Sequence, residues 1–199
     1  FEWVVGHSGA GEALSCILDP GDGAAPYQVA DCRSTSSWSH TSSEGGTVTA
    51  ADLEAIRAVF ARRLYVMDTK QWELYGPCHT EDVVSESWAA SGGAPEVRGR
   101  EALTAAIRET LDGPSPVTSV HHGHTPLLEF TGPHPETGEP TASGIWAMED
   151  RLWWTVDGRE RWLHGWGHYH ERYRRVDGQW LISYRRLDRL RVDTGWTDG

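Results

Sequence analysis

The pattern of apolar and polar positions changes character twice along the chain. Up to residue 47 no helical or strand period is sustained, and Gly, Ser, Pro and Thr cluster in DPGDGAAP and STSSWSHTSSEGGT. From Thr49 the period becomes helical. Thr49 and Asp52 stand at the spacing of an N-terminal cap, and Leu53, Ile56, Phe60, Leu64 and Met67 follow at helical intervals, which predicts an amphipathic helix over 50–66. DTKQWELYGPCH predicts a turn and a short second helix closed by Gly76-Pro77, and EDVVSESW predicts a strand. A third helix over 101–111 buries Leu103, Ala106, Ile107 and Leu111 and stops at Gly113-Pro114. Beyond Pro116 the period falls to two. SVHHGHTPLLEFTG, ASGIWAMEDRLWWTV, RWLHGWGHYHERYRRV and QWLISYRRLDRLRV read as four long strands, parted by HPETGEP, DGR and the Asp177-Gly178 hairpin signal. Helices first and an antiparallel meander second is an α+β layout, with helices on one face of a curved sheet.

The division at residue 47 is also a division of charge. Residues 1–47 hold one basic residue, Arg33, against six acidic ones, so they carry a net −5 of the −11 of the whole 199-residue chain. Such a segment buries too little apolar surface to offset its ordering entropy, and the expectation is a flexible or non-native N-terminal extension, with Val48 as the translation start and a single domain over 48–195. The negative charge disfavours a phosphate-binding track, so nucleic acid is not an expected partner. No apolar run approaches the ~18–20 residues of a membrane span, and FEWVVGHSGAGE shows no basic segment ahead of an apolar one. Cys16, Cys32 and Cys78 form neither a disulfide framework nor a CxxC knuckle. A cytoplasmic protein without membrane attachment is the expectation.

Six histidines fall in two short stretches, His121, His122 and His124, then His164, His168 and His170. Residues two apart on a strand share a face, so His122 and His124 point one way and His121 the other, and the two HxH pairs offer a possible metal site whose completing carboxylate no spacing fixes. A second arrangement pairs Asp68, the polar residue closing an apolar helix face, with His121. A carboxylate bonded to an imidazole fixes its tautomer and makes it a better base near neutral pH. The competing explanation makes Asp68 a cap for the next helix and His121 a satisfied, half-buried side chain.

From about Asp52 to Asp193 the chain resembles a SnoaL-like domain of the nuclear-transport-factor-2-like superfamily. The resemblance is carried, in order, by AIRAVFARRLYVMDTKQWELYGPCHTEDVV, VHHGHTPLLEF, GIWAMEDRLWW and GHYHERYRRVDGQWLISYRRL. It implies a cone-shaped, curved antiparallel sheet, an α+β barrel, wrapped by N-terminal helices. In dehydratases and a dehydrochlorinase of the superfamily, an Asp ending the first helix pairs with a His that removes a proton, and the matching residues here are Asp68 and His121. The resemblance further implies that Arg185 supports a leaving group and that Gly167 and Tyr169 line the cavity, which turns His168 and His170 outward and disfavours a metal. The tyrosines of scytalone dehydratase fall on Met67 and Ser87, a departure from that enzyme's pattern. The Asp-Arg-Asp set of limonene-epoxide hydrolase has possible counterparts in Asp150, Arg172 and Asp188.

Trp146, Met148 and Asp150 share one strand face and are expected to contact ligand, as are Ser87 and, one turn before Asp68, Tyr65. The arginines of 172–175 and 185–191 are expected on solvated faces, matched by Glu171, Asp188 and Asp193, with Arg185 the exception. Trp153, Trp154, Trp162 and Trp166 are candidates for a subunit interface. Together these readings predict a cofactor-independent lyase of the dehydratase type, acting on a hydrophobic cyclic small molecule as a dimer or trimer. An isomerase or cyclase using the same proton abstraction, a carboxylate epoxide hydrolase and a non-catalytic binding domain are the alternatives.

Overall fold

A computed structural model describes residues 48–87 and 96–197. Helix α1 (Ala50–Asp68) is followed by the short α2 (Trp72–Tyr75), a single 3-10 turn over Gly76–Cys78, β1 (His79–Ser87), β2 (Val97–Arg98) and α3 (Arg100–Asp112). Five strands complete the chain: β3 (Thr118–Gly123), β4 (Leu127–Pro133), β5 (Pro140–Val156), β6 (Arg159–Val176) and β7 (Gln179–Trp196). The seven described strands form one sheet in the order β2-β1-β7-β6-β5-β3, with β4 also paired to β5. The α+β architecture is the expected one, with two corrections. β1 lies parallel to β7, so the sheet is mixed, and the strand order runs from a β2 edge to a β3 edge without closing into a barrel. Residues 1–47, on which the expected extension falls, lie outside the described part.

Local chemistry accounts for the elements. The Thr49 amide donates to Asp52 Oδ2 at 2.8 Å, which caps α1, and Asp52 Oδ1 accepts from Trp180 Nε1 at 2.8 Å, which ties the start of the helix to β7. Ile56, Val59, Phe60, Arg63, Leu64 and Met67 are buried on the face α1 lays against the concave side of the sheet. Two hairpins join β5 to β6 and β6 to β7, with Asp157-Gly158 and Asp177-Gly178 in their turns. All four of these residues have positive φ, the backbone that a tight two-residue hairpin demands.

The stretch expected to be one strand, SVHHGHTPLLEFTG, is two. β3 pairs with the Met148–Trp153 half of β5 and β4 with the Pro140–Ile145 half. Pro126, which has no amide proton to give a ladder, lies in the break. The His124 amide still donates to the Ala147 carbonyl at 2.8 Å, so the chain bends there without leaving the sheet. Trp154, a candidate interface residue, belongs to the buried core, whereas Trp153, Trp162 and Trp166 are half-buried. Among the described residues no helix is long and apolar enough to cross a membrane.

Candidate active site

Helix α1 ends by reversing direction. Lys70 takes a left-handed conformation (φ 59°), and the Gln71 amide donates back to the Val66 carbonyl at 2.8 Å. Asp68, in the last turn, is thereby aimed at β3. Because β3 is an edge strand, its outward amides have no strand partner, and Asp68 supplies one: the His121 amide donates to Asp68 Oδ2 at 2.8 Å. The same carboxylate accepts from His121 Nδ1 at 2.6 Å and from Ser119 Oγ at 2.8 Å, both on Oδ1. Lys70 Nζ lies 3.4 Å from Ser119 Oγ and completes the row.

Burial pushes the Asp68 carboxyl up, but the hydrogen bonds and charge of His121 and the bond from Ser119 outweigh it and hold the group below the usual carboxylate range. An ionised carboxylate only accepts, so Nδ1 carries the imidazole proton and Nε2 carries the lone pair. The His121 and Asp68 side chains are 10% and 19% exposed, which leaves them sheltered and still in reach of solvent. Burial also depresses the Lys70 ammonium, against the raising influence of Asp68 and Asp112.

His121 and Asp150 are register partners on β3 and β5, so their side chains share the concave face. Asp150 is buried and held by both terminal nitrogens of Arg189, Nη1 to Oδ1 at 2.8 Å and Nη2 to Oδ2 at 2.5 Å. Arg189 reaches from β7 across β6, and the sequence permits this through Gly165 and Gly167. A Cβ at Gly165 would fall 1.8 Å from Arg189 Nη1 and 2.4 Å from Asp150 Oδ1, and one at Gly167 would fall 2.0 Å from the Asp188 carbonyl. Met148 and Tyr169 are buried on the same face. Burial pushes the Tyr169 phenol well up, so it stays protonated as a donor.

Farther along the concave face the side chains are buried in a polar network. Arg63 and Glu171 form an ion pair at 2.7 Å with both side chains 0% exposed. The Tyr173 hydroxyl donates to Glu171 Oε2 at 2.7 Å and accepts from Trp146 Nε1 at 2.9 Å, and the Trp146 ring stacks flat on Phe60 at 3.6 Å between centroids. Next to this network Arg185 Nη1 donates to the Tyr75 hydroxyl at 2.9 Å, and His79 Nδ1 donates to the Tyr75 carbonyl at 3.0 Å.

Of the residues singled out from the sequence, Asp68, His121, Met148, Asp150, Gly167, Tyr169 and Arg185 lie on or face the concave side, while Trp146 belongs to the packed end. Tyr65 is 62% exposed, because its helical position turns it away from the Leu64–Met67 contact face, and it is not brought to the site. The Ser87 backbone pairs with Leu187, and its side chain lies outside the described part. Glu171 is not on a solvated face; it alternates with Gly167, Tyr169 and Tyr173 and is buried with them. The Asp-Arg-Asp set does not assemble. Arg172 lies over the Tyr184 ring, Asp188 pairs with Arg186 and His170, and the partner of Asp150 is Arg189.

Arg63, Ser119 and His79 are residues that the sequence reading does not single out, and Arg189, expected on a solvated face, is instead buried in its pair with Asp150, its side chain 7% exposed. Ser119 carried a signal, since it stands two before His121 on one strand face. Arg63 carried another, a charge at the centre of the apolar stripe of α1. Two histidines of the opposite sheet face pair closely with carboxylates, His164 with Glu149 at 2.6 Å and His170 with Asp188 at 3.1 Å. Among the described residues no group of three or more His, Cys, Asp or Glu could hold a metal ion.

The profile of the SnoaL-like domain matches residues 48–186. The chain belongs to the SnoaL-like domain family. Solved structures share the fold of this SnoaL-like domain. A protein of unknown function from Mycobacterium tuberculosis is 27% identical, with a TM-score of 0.54 over 72% of this chain and 79% of that one. A protein from Novosphingobium aromaticivorans, provisionally assigned as a scytalone dehydratase, is 20% identical, with a TM-score of 0.55 over 72% and 87% of the two chains. A type 2 hexachlorocyclohexane dehydrochlorinase is 18% identical, with a TM-score of 0.60 over 75% and 90%.

Proposed function

We propose that this SnoaL-like domain is a cofactor-independent lyase in which His121 is the general base and Asp68 its orienting partner. The observation that carries the reading is the carboxylate–imidazole contact at 2.6 Å, with Asp68 also bonded to the His121 amide and to Ser119. Three bonds to one carboxylate fix the plane and tautomer of the ring before a substrate arrives, and Nε2 is the nitrogen left to take a proton. His121 Nε2 takes a proton from carbon, the C–H electrons become a double bond or an enolate, and the leaving group departs with the electrons of its own bond. Tyr169, held protonated, is the donor for developing negative charge. The folds shared with a dehydrochlorinase and a scytalone dehydratase assignment support elimination on a hydrophobic cyclic molecule. An isomerase follows from the same first step if the proton returns at another carbon.

The test compares wild type, His121→Ala and Asp68→Asn on a panel of cyclic hydroxy-ketones, halogenated cyclohexanes and steroid-like alcohols, reading product and deuterium exchange at acidic C–H positions. Wild type exchanges or eliminates, and both variants lose about 10²- to 10⁴-fold, the size of a lost general base. Equal rates in all three proteins would remove the base from His121. Tight ligand binding with neither exchange nor product in wild type would leave a binding domain.

A further inference from the structure

Among the described residues, the guanidinium groups of Arg63, Arg185 and Arg189 lie on the concave side and are not treated alike. Arg63 has Glu171 and Arg189 has Asp150, each a buried carboxylate in direct contact. Arg185 is 9% exposed, and its bond is to a neutral phenol, the Tyr75 hydroxyl. Among the described residues no carboxylate lies within ion-pair distance of it. Its cross-strand partner by register is Glu171, but that side chain is already taken by Arg63 and Tyr173. A buried cation without an anion carries a desolvation cost that a protein meets with a partner, and here the described residues supply none.

The same corner holds further unmet demand. Arg63 Nε and Nη1 and His79 Nε2 are buried without a hydrogen-bond partner. His79 donates from Nδ1 to the Tyr75 carbonyl, so its Nε2 presents a lone pair, while the Arg63 nitrogens present protons. Tyr75 ties the groups together, through its hydroxyl to Arg185 and through its carbonyl to His79, with the Tyr75 and His79 rings 4.8 Å apart. Burial first, then the positive charges of Arg63 and Arg185, drive the His79 imidazole down to about 3, so the corner is electropositive even with its histidine neutral.

We propose that the corner around Tyr75 is a carboxyl-binding subsite, in which Arg185 takes a carboxyl group of a small apolar acid. A carboxylate offers what is missing: oxygens that accept from Arg185 and from the unpartnered Arg63 nitrogens. Tyr169 borders this corner, with the Arg63 guanidinium 5.0 Å from its ring centre, and stands two residues along β6 from Gly167 on the same face. Resting on the dyad reading above, this narrows the substrate class to a cyclic carboxylic acid held by its acid group at Arg185. Arg185 then anchors a part of the substrate that does not react, and does not serve the leaving group.

The probes are 2-naphthoate and its neutral analogue 2-naphthylmethanol, titrated into the full chain at pH 7 by calorimetry. Wild type binds the acid at least tenfold more tightly than the alcohol, Arg185→Met abolishes that preference, and Arg185→Lys keeps part of it. Equal or undetectable binding of the acid by wild type, or a preference that survives Arg185→Met, overturns the proposal. Should Arg185→Met fail to give a native circular-dichroism spectrum, Tyr75→Phe decides, because it removes only the hydroxyl that orients the guanidinium. The acid preference then falls at least threefold, and an unchanged preference overturns the subsite. Since this is read without turnover, an acid preference retained in His121→Ala separates the subsite from the dyad.

Discussion

Helix α1 places two charged side chains five residues apart on the same sheet, and the protein uses them in opposite ways. Arg63 meets Glu171 where both are 0% exposed, under the Phe60–Trp146 stack. Asp68 meets His121 at a nearly equal distance, with both side chains in reach of solvent. The first pair is buried away from solvent and specifies how the helix sits on the sheet. The second, on the function proposed above, keeps a base that solvent and substrate can reach. Geometry alone does not distinguish a structural ion pair from a catalytic one; access does.

The comparison can be broken first at its closed end. Arg63→Met removes the ion-pair partner of buried Glu171 and is expected to cost about 3–5 kcal/mol in urea unfolding, with most of the loss recovered in Arg63→Met/Glu171→Leu. A single variant as stable as wild type would mean that the pair does not hold the helix to the sheet.

Acid is the next lever. His79 is neutral and buried in the native state near a pKa of about 3, whereas in the unfolded chain it protonates near 6.5. The unfolded state therefore binds more protons between these values. The stability His79 contributes is fully present above pH 6.5 and is lost as pH falls toward 3, on the order of 4 kcal/mol. His79→Gln should flatten the stability curve between pH 6.5 and 4, and an unchanged slope would move the acid sensitivity elsewhere. Asp68, depressed below its usual value, acts only at lower pH: its contribution is present above the ordinary carboxylate range and goes as pH drops through its native value.

The smallest effect sharpens the open end. Gly165→Ala sets a methyl group against Arg189 and Asp150, and the pair has to part. We expect a loss of about 1–3 kcal/mol in thermal or urea unfolding, from overpacking. A variant of wild-type stability would show that Arg189 can reach Asp150 by another route.

Much of the fold was legible because local rules govern it. The cap at Thr49, the stripe from Ile56 to Met67, the period-two runs and the two Asp-Gly hairpins each follow from the geometry of one element. The break at Pro126 was legible too and was passed over in favour of one long run. The parallel pairing of β1 with β7 was not legible, because it joins segments about a hundred residues apart through no local signal. Among site residues, Asp68 and His121 could be named from their types and positions, with the family resemblance joining them. Glu171 was misplaced because a charged residue on an alternating strand is ordinarily solvated, and only the buried Arg63 across the interior reverses that expectation.

The sequence by itself determined which segments are helix and strand, which faces are apolar, and which side chains could act as base, carboxylate or cation, because these depend on neighbours within a few residues. Tertiary structure decided which charges meet. It set Asp68 against an edge-strand amide, opened a lane of glycines for Arg189 to reach Asp150, closed Arg63 on Glu171 and left Arg185 with only a phenol. Those pairings depend on distances between residues far apart in the chain, which sheet register and helix packing fix and local periodicity does not.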